Sequence, residues 1–413
     1  MPSSLRRAWS LLRDPVGEEK RSLLSQRWSD LASDLRLPGQ GLGQKATGCG
    51  ATIGIQPKCD FSCTGCYLGD GANRVPSLPL ASVVDQLNRL RAWLGPKSNV
   101  QITDGEVTLR PIDELISILR HASSIGIVPM VMTHGDQLRS QRGLLERLMS
   151  EGHLTEISIH IDVTQRGRNG YRLSASELEL MPLRDEFADL IRAARRSTRR
   201  RLRAAMTMTV TTDNLSQISD VVRWTIENRD AFSLLSFQPL AHVGRTHWNA
   251  GTVTRDALWR EVQRVVPLTP QRIHFGHPDC TTIVPLLAIQ PRGRARPIVM
   301  QLIRDDPDDV AVMQEFFALG LGGAAFRDDA PVEMVARAAG MLVRAPRWWI
   351  GRARSWALQR LRREAAMSSF SLLTARIGGV TLASHHFMNA DGVGDAARPA
   401  AARGLCLPSA DRQ

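Results

Sequence analysis

The chain has 413 residues, 43% hydrophobic and 23% charged, with six cysteines and a formal net charge of +12. Such a length buries a large core, enough for one barrel-sized domain with extensions or for two or three smaller domains. The basic excess does not make a nucleic-acid partner: nearly all of it is Arg, with Lys only at Lys20, Lys45, Lys58 and Lys97, and no basic tract interleaved with aromatic residues crosses the middle of the chain. No run of about 18 apolar residues is present, and the N-terminus lacks a compact apolar leader, so a cytoplasmic protein with reduced thiols is expected.

Residues 1–45 form a polar, Arg-rich arm in which Leu5, Trp9, Leu11, Leu12, Leu23, Leu24, Trp28 and Leu31 recur at amphipathic-helix spacing. A Pro/Gly-rich linker, Leu37 to Gly43, ends it. From there to 268 the sequence alternates short apolar runs with longer helical patterns. Strands are expected near 51–56, 100–103, 127–133, 156–161, 204–211 and 233–238, and helices near 79–94, 111–125, 140–151, 182–199 and 215–229. A crossover helix between successive strands makes the sheet parallel. Six such units make an α/β fold, either doubly wound or a partial barrel, and in both the ligand sits at the C-terminal strand ends.

Those ends are where the polar residues gather. The first strand leads into Cys59, Cys63 and Cys66, and the second into Asp104, Gly105 and Glu106. The third reaches Thr133-His134-Gly135-Asp136. The fourth carries Ser158, His160 and Asp162, then Gln165-Arg166-Gly167-Arg168; the fifth carries Thr207, Thr209 and Thr211, and the sixth ends at Gln238. Alternation puts Ser158, His160 and Asp162 on one face, where a hydrogen-bonded core pair would look the same as a binding pair.

Beyond 250 the repeat fades into a C-terminal extension, 269–389, a candidate cap over the substrate. Its Trp348–Arg363 stretch sets Trp349, Ala353, Trp356, Ala357 and Leu361 on one helical face among many Arg, a mixture that suits core packing or the surface of a bilayer. The arginines between Arg192 and Arg203 read as a solvated helix end that suits the macrodipole, with a phosphate-bearing substrate as the minority reading. Residues 390–413 have the composition of a disordered or frame-disrupted tail.

Three cysteines at C-x3-C-x2-C spacing in one loop can converge on a single centre and leave a coordination position open. A zinc site commonly wants a second C-x2-C pair, and none is nearby. A disulfide within the loop is the remaining alternative.

Cys59-x3-Cys63-x2-Cys66-Tyr67 after a first strand resembles the signature loop of the radical S-adenosylmethionine (radical SAM) enzymes. The resemblance spans roughly residues 51–240 and implies a partial (βα)6 barrel, a 4Fe-4S cluster on Cys59, Cys63 and Cys66, and SAM on the remaining iron. Asp104-Gly105-Glu106 stands where the family has Gly-Gly-Glu, so Glu106 would hold the methionine ammonium, while Asp104 departs from the first Gly. Thr133-His134-Gly135 is similar to the family's Thr-Asn-Gly, with His for Asn. Tyr67, Asp104, Gly105, Thr133, His160, Asp162, Gln165, Thr209 and Gln238 are the further candidates for the cofactor and substrate side. A capping box at Thr103 and Glu106 is the structural alternative for the second strand's end. The family also implies a reductant such as flavodoxin or ferredoxin. Cys49, Cys280 and Cys406 are the candidates for an auxiliary cluster, with His277-Pro278-Asp279 beside Cys280. The basic Trp helix tilts the substrate toward a lipid over a peptide or small molecule and suggests peripheral membrane contact. A non-catalytic iron-sulfur or zinc protein, acting as an electron carrier or scaffold, is the alternative.

Overall fold

The computed structural model describes residues 3–30, 32–33, 36–37, 51–171, 176–246, 251–270, 274, 281–318, 331–364 and 374–385. The arm supplies α1 (Ser3–Arg13) and α2 (Glu18–Asp30). Six strands follow, β1 (Ala51–Gln56), β2 (Asn99–Asp104), β3 (Val128–Thr133), β4 (Glu156–His160), β5 (Arg203–Val210) and β6 (Phe232–Pro239), which pair side by side in chain order, all parallel. The crossovers hold α3 (Leu80–Leu94), α4 (Ile112–Ser124), α5 (Asp136–Ser140), α6 (Leu144–Ser150), α7 (Met181–Thr198) and α8 (Ile218–Glu227). The helix expected over 140–151 is broken: Gly143, at φ 82°, starts α6 afresh.

Helical spacing turns Val83, Leu87 and Leu90 of α3, Leu115 and Leu119 of α4, and Leu183, Phe187 and Ile191 of α7 onto the sheet. There they meet the outward strand positions Ile53, Ile102, Val131, Ile157, Ile159, Met206 and Met208 in one core. By alternation the other face carries Gln101, Thr103, Met130, Met132, Ser158, His160, Thr207, Thr209 and Gln238. Apolar helices cover one side, and a polar concave face is left on the other.

The remainder of the chain is α9 (Arg255–Gln263), β7 (Thr281–Gln290), β8 (Ile298–Gln301), α10 (Pro307–Ala318), α11 (Pro331–Arg344), α12 (Arg347–Glu364) and β9 (Arg376–His385). Strand β9 runs parallel to β6, β7 antiparallel to β9, and β8 antiparallel to β7. Among the described residues the sheet is thus a row of nine strands with β1 at one edge and β8 at the other, an open partial barrel, and the segment 269–389 contributes three of those strands. The arm is tied to the strand starts: Lys20 Nζ donates to the Pro96 carbonyl at 3.0 Å and to Ser98 at 3.2 Å. No helix among the described residues is long and apolar enough to cross a membrane.

Of the two readings of the late helix, Trp349 and Trp356 follow core packing. Their indole N–H groups donate to the Val312 carbonyl at 3.1 Å and to Asp309 at 2.6 Å, both on α10, because a half-buried indole needs an acceptor. The arginines of α7 also have local work: Arg192 holds Asp230, and Arg195 donates to the carbonyls of Leu202 and Ala231.

One seam joins the loops that leave β1 and β2. The Gly105 N–H donates to the Gln56 carbonyl at 2.7 Å, and the Glu106 N–H to the Lys58 carbonyl at 2.8 Å. The approach is so close that a Cβ on Gly105 would lie 2.3 Å from the Lys58 carbonyl oxygen. Gly105→Ala should therefore push the two loops apart and lose about 1–3 kcal/mol, whereas Gly69→Ala, where nothing lies within 4 Å, should melt like the parent; thermal denaturation of both variants checks this. The neighbouring Asp104 sits at φ 117°, a region that favours glycine, at a cost of about 1–3 kcal/mol. Asp104→Gly should melt at or above the parent, and Asp104→Val, with a branched Cβ at that φ, clearly below it.

Candidate metal and cofactor site

Cys59, Cys63 and Cys66 are all half-buried and free, with no disulfide. Their loop is held from four directions by backbone and amide groups. Asn73 clamps Cys59, accepting its N–H at 2.9 Å and donating to its carbonyl at 3.1 Å. Thr246 does the same for Cys66, at 3.0 and 3.3 Å. The N–H groups of Ser62 and Thr64 donate to the carbonyls of Arg166 and Thr164 at 2.9 Å each. Gly65 leaves no room for a side chain, since a Cβ there would meet Leu240 at 2.4 Å. The loop geometry is thus set before any ligand arrives.

Cys59 and Cys63 are held as thiols rather than as free thiolates. Burial pushes the Cys59 and Cys63 thiols up to about 12, and nearby carboxylates, Glu106 and Asp60 for Cys59 and Asp162 for Cys63, push the same way. A thiol in that state is neutral at pH 7, so ligation must expel protons. Among the described residues, the donor atoms that gather within 4.8 Å of one another are those of Cys59, Asp60 and His134, not the three sulfurs as a set. Sulfurs around a single tetrahedral zinc would stand only about 3.8 Å apart, from Zn–S bonds of about 2.3 Å.

Glu106, 1% exposed, anchors the second strand's end. One carboxylate oxygen accepts from the Thr108 N–H at 3.1 Å, the Thr108 hydroxyl at 2.5 Å and the Thr133 hydroxyl at 2.6 Å; the other accepts from the His134 N–H at 2.8 Å. It therefore caps the short turn Val107–Leu109 itself, rather than serving the Thr103 capping box that was the structural alternative. His134 stacks flat on Phe61, with ring centroids 3.7 Å apart. Its Nδ1 accepts from the Asp136 N–H at 3.1 Å, which leaves the ring proton on Nε2, 2.8 Å from Asp60 and 3.3 Å from Glu106. That hydrogen bond from His134 holds the Asp60 carboxyl below the usual carboxylate range. Tyr67, largely exposed, donates its hydroxyl to the Asp104 carbonyl at 2.5 Å.

On β4 and β5 the expected pair is real. His160 Nε2 lies 2.5 Å from Asp162 and 3.2 Å from Thr209, and the imidazole stays partly open on the concave face. Burial by itself would raise the Asp162 carboxyl, but His160, Thr164 and the Thr209 N–H hold it down at about 2. Gln165 is buried, its carbonyl oxygen taking Arg168 at 2.7 Å and the Asp162 N–H at 3.4 Å. Gln238 stands opposite Thr209 in the β5–β6 register.

Four residues that hold these groups were not singled out from the sequence. Thr108 was legible, two residues after Glu106. Arg168, fully buried and donating to the His134 and His160 carbonyls at 2.8 and 2.9 Å, carried no local sign of burial. Asn73 and Thr246 reach the cysteine loop across 14 and 180 residues, and nothing in their neighbourhoods signals it. Cys49, His277, Pro278, Asp279, Cys280 and Cys406, the residues of the auxiliary-cluster expectation, lie outside the described residues, as does the 390–413 tail.

Comparison with known proteins finds a family likeness for this site. Residues 53–225 match the model of the Radical SAM superfamily. No curated protein matches the chain. Among solved structures, SuiB of Streptococcus suis bound to the precursor peptide SuiA is 19% identical with a TM-score of 0.33, over 46% of this chain and 40% of that one. Native anSMEcpe with bound AdoMet and the Kp18Cys peptide is 12% identical with a TM-score of 0.38, over 52% of this chain and 58% of that one. The chain thus spans less than two thirds of the solved chains it matches. The superfamily match runs from within β1 to within α8, so the segment that carries the three-cysteine loop is the part of the chain similar to the Radical SAM superfamily.

Proposed function

We infer that the chain reductively cleaves S-adenosylmethionine at a 4Fe-4S cluster on Cys59, Cys63 and Cys66, and that the resulting 5'-deoxyadenosyl radical abstracts hydrogen from a substrate. The observation that carries this reading is the cysteine loop itself: three free, half-buried cysteines at C-x3-C-x2-C spacing after β1, their loop held by Asn73, Thr246, Arg166 and Thr164. The cluster would supply the electron at low potential; the protein's share is to hold, orient and keep water away.

For the methionine end, Glu106 keeps the β2 loop and its own charge beside the site. Direct contact with an ammonium would displace one of its four donors. His160, Asp162, Gln165, Thr209 and Gln238, with Tyr67, Asp104, Gly105 and Thr133 on the other side, line or brace the concave face where the ribose and substrate would sit. A cytoplasmic reductant of the flavodoxin or ferredoxin type would deliver the electron. The lean toward a lipid substrate rested on the aromatic face of α12, and Trp349 and Trp356 turn to α10. That helix gives no ground for a lipid over a peptide or small molecule.

Anaerobic reconstitution should give a brown protein with about four iron and four sulfide per chain that releases 5'-deoxyadenosine from SAM under a strong reductant, and the Cys59→Ala/Cys63→Ala/Cys66→Ala variant should do neither. A colourless, zinc-loaded chain that neither binds nor cleaves SAM would establish the alternative, a metal-binding scaffold.

A further inference from the structure

Helix α11 is built inside out. Its acidic residue Glu333, 5% exposed, faces Arg7 of α1 at 3.5 Å, and the buried Arg337 donates to the Pro15 carbonyl. Gly340 lets α1 press so close that a Cβ would lie 2.5 Å from the Leu12 carbonyl oxygen. On the opposite side Val332, Val335, Leu342 and Val343 recur at helical spacing within an arc of roughly 100°, and they are open: Val335 is 69% and Val343 80% exposed. A helix on a soluble surface normally arranges these groups the other way round. The next exposed aromatic in the chain is Trp348, at the start of α12.

We propose that this outer face of α11, with Trp348, seats on the surface of an anionic bilayer. Charge complementarity selects that occupant. Residues 331–364 hold eight arginines against two glutamates; Arg337, Arg344 and Arg360 turn to carbonyls of the chain, and Arg347, Arg354 and Arg362 are exposed on α12, the helix that follows in the chain. An apolar stripe, an interfacial Trp and a dense Arg flank are what an anionic headgroup layer binds. A second copy meeting the same face through a two-fold axis would set arginine against arginine.

The face lies on the side of the strand starts. Arg201, two residues before β5, donates to Met334 at 3.5 Å, and Lys20 holds the carbonyl just before β2. Docked this way, the rim that carries the cysteines points away from the bilayer, and substrate enters from the aqueous side. The docking is a property of the α1–α11 pair and is independent of whether the cysteine loop holds a cluster.

Flotation of the full chain with vesicles tests this, once with phosphatidylcholine alone and once with added phosphatidylglycerol. Binding is expected on the anionic vesicles and should fall as salt is raised. The Val335→Asp/Val343→Asp variant should lose it by about tenfold or more, and Arg347→Gln by about fivefold, with melting temperature and SAM cleavage unchanged. Absence of binding to anionic vesicles overturns the proposal, as does binding that the double variant leaves intact. Concentration-dependent dimerisation abolished by the double variant, without vesicle binding, would assign the face to a second copy and overturn it equally.

Discussion

A buried carboxylate is the constraint around which the rim of this sheet is built. Glu106 is enclosed by protein, and a charge so placed persists only if hydrogen-bond donors replace the water it has lost. Thr108 on its own loop and Thr133 and His134 at the end of β3 supply them. Each such bond to a charged acceptor contributes about 1.5–3 kcal/mol net, and the set cannot form unless the β2 and β3 ends adopt one arrangement. The seam at Gly105 then adds the β1 loop through backbone bonds too short for any side chain between them. His134 closes the circuit by stacking on Phe61 and donating to Asp60, both inside the cysteine loop. Three loops far apart in sequence therefore behave as one rigid body, the pre-organisation a metal-ligand loop needs when its ligands come from a short stretch of chain.

A second buried carboxylate organises the other half. Asp162 gathers His160, Thr164 and Thr209 from β4, its loop and β5, and Glu177 gathers Arg184, Asn214 and the Val163 N–H just behind it. Arg168 bridges the halves, donating to carbonyls on the β3 and β4 ends and lying over the rings of Phe61 and Phe187. The concave face stays polar because each strand spends its outward residues on the helices and its inward ones on this network.

Much of this could be read in the chain before its structure. The six strands and their parallel order follow from period-two apolar runs separated by helical ones, and the polar residues at the strand ends follow from the rule that such ends carry the ligands. Glu106 was marked by its place in the resemblance to Gly-Gly-Glu, and His160 and Asp162 by alternation onto one face, where the two lie in hydrogen-bond contact. Three things were not legible. Asn73 and Thr246 act through contacts no local pattern encodes. Asp104 was marked only as a departure from the glycine of the resembling family; that it sits at φ 117°, a conformation a glycine takes without strain, is what the backbone adds. Arg168 looks like any loop arginine until its donors are counted against the carbonyls that the strand ends leave over.

The late helices mark where a periodicity argument stops. A stripe on a helix says which residues share a face, not which face is inside. In α12 the indoles of Trp349 and Trp356 carry N–H groups that need acceptors, and α10 offers them, so that stripe is interior. In α11 the charged residues had the better partners: Arg7 for Glu333 and the Pro15 and Leu12 carbonyls at the end of α1 for Arg337 and Arg344. The Leu12 carbonyl ends α1 and lacks an intrahelical donor, and the Pro15 carbonyl lies just past it; the arginines that satisfy them face α1, which turns the valines outward. The exposed apolar face of α11 is therefore a consequence of how α1 ends, and the same contacts that hold the arm to the domain create a surface that water alone covers poorly.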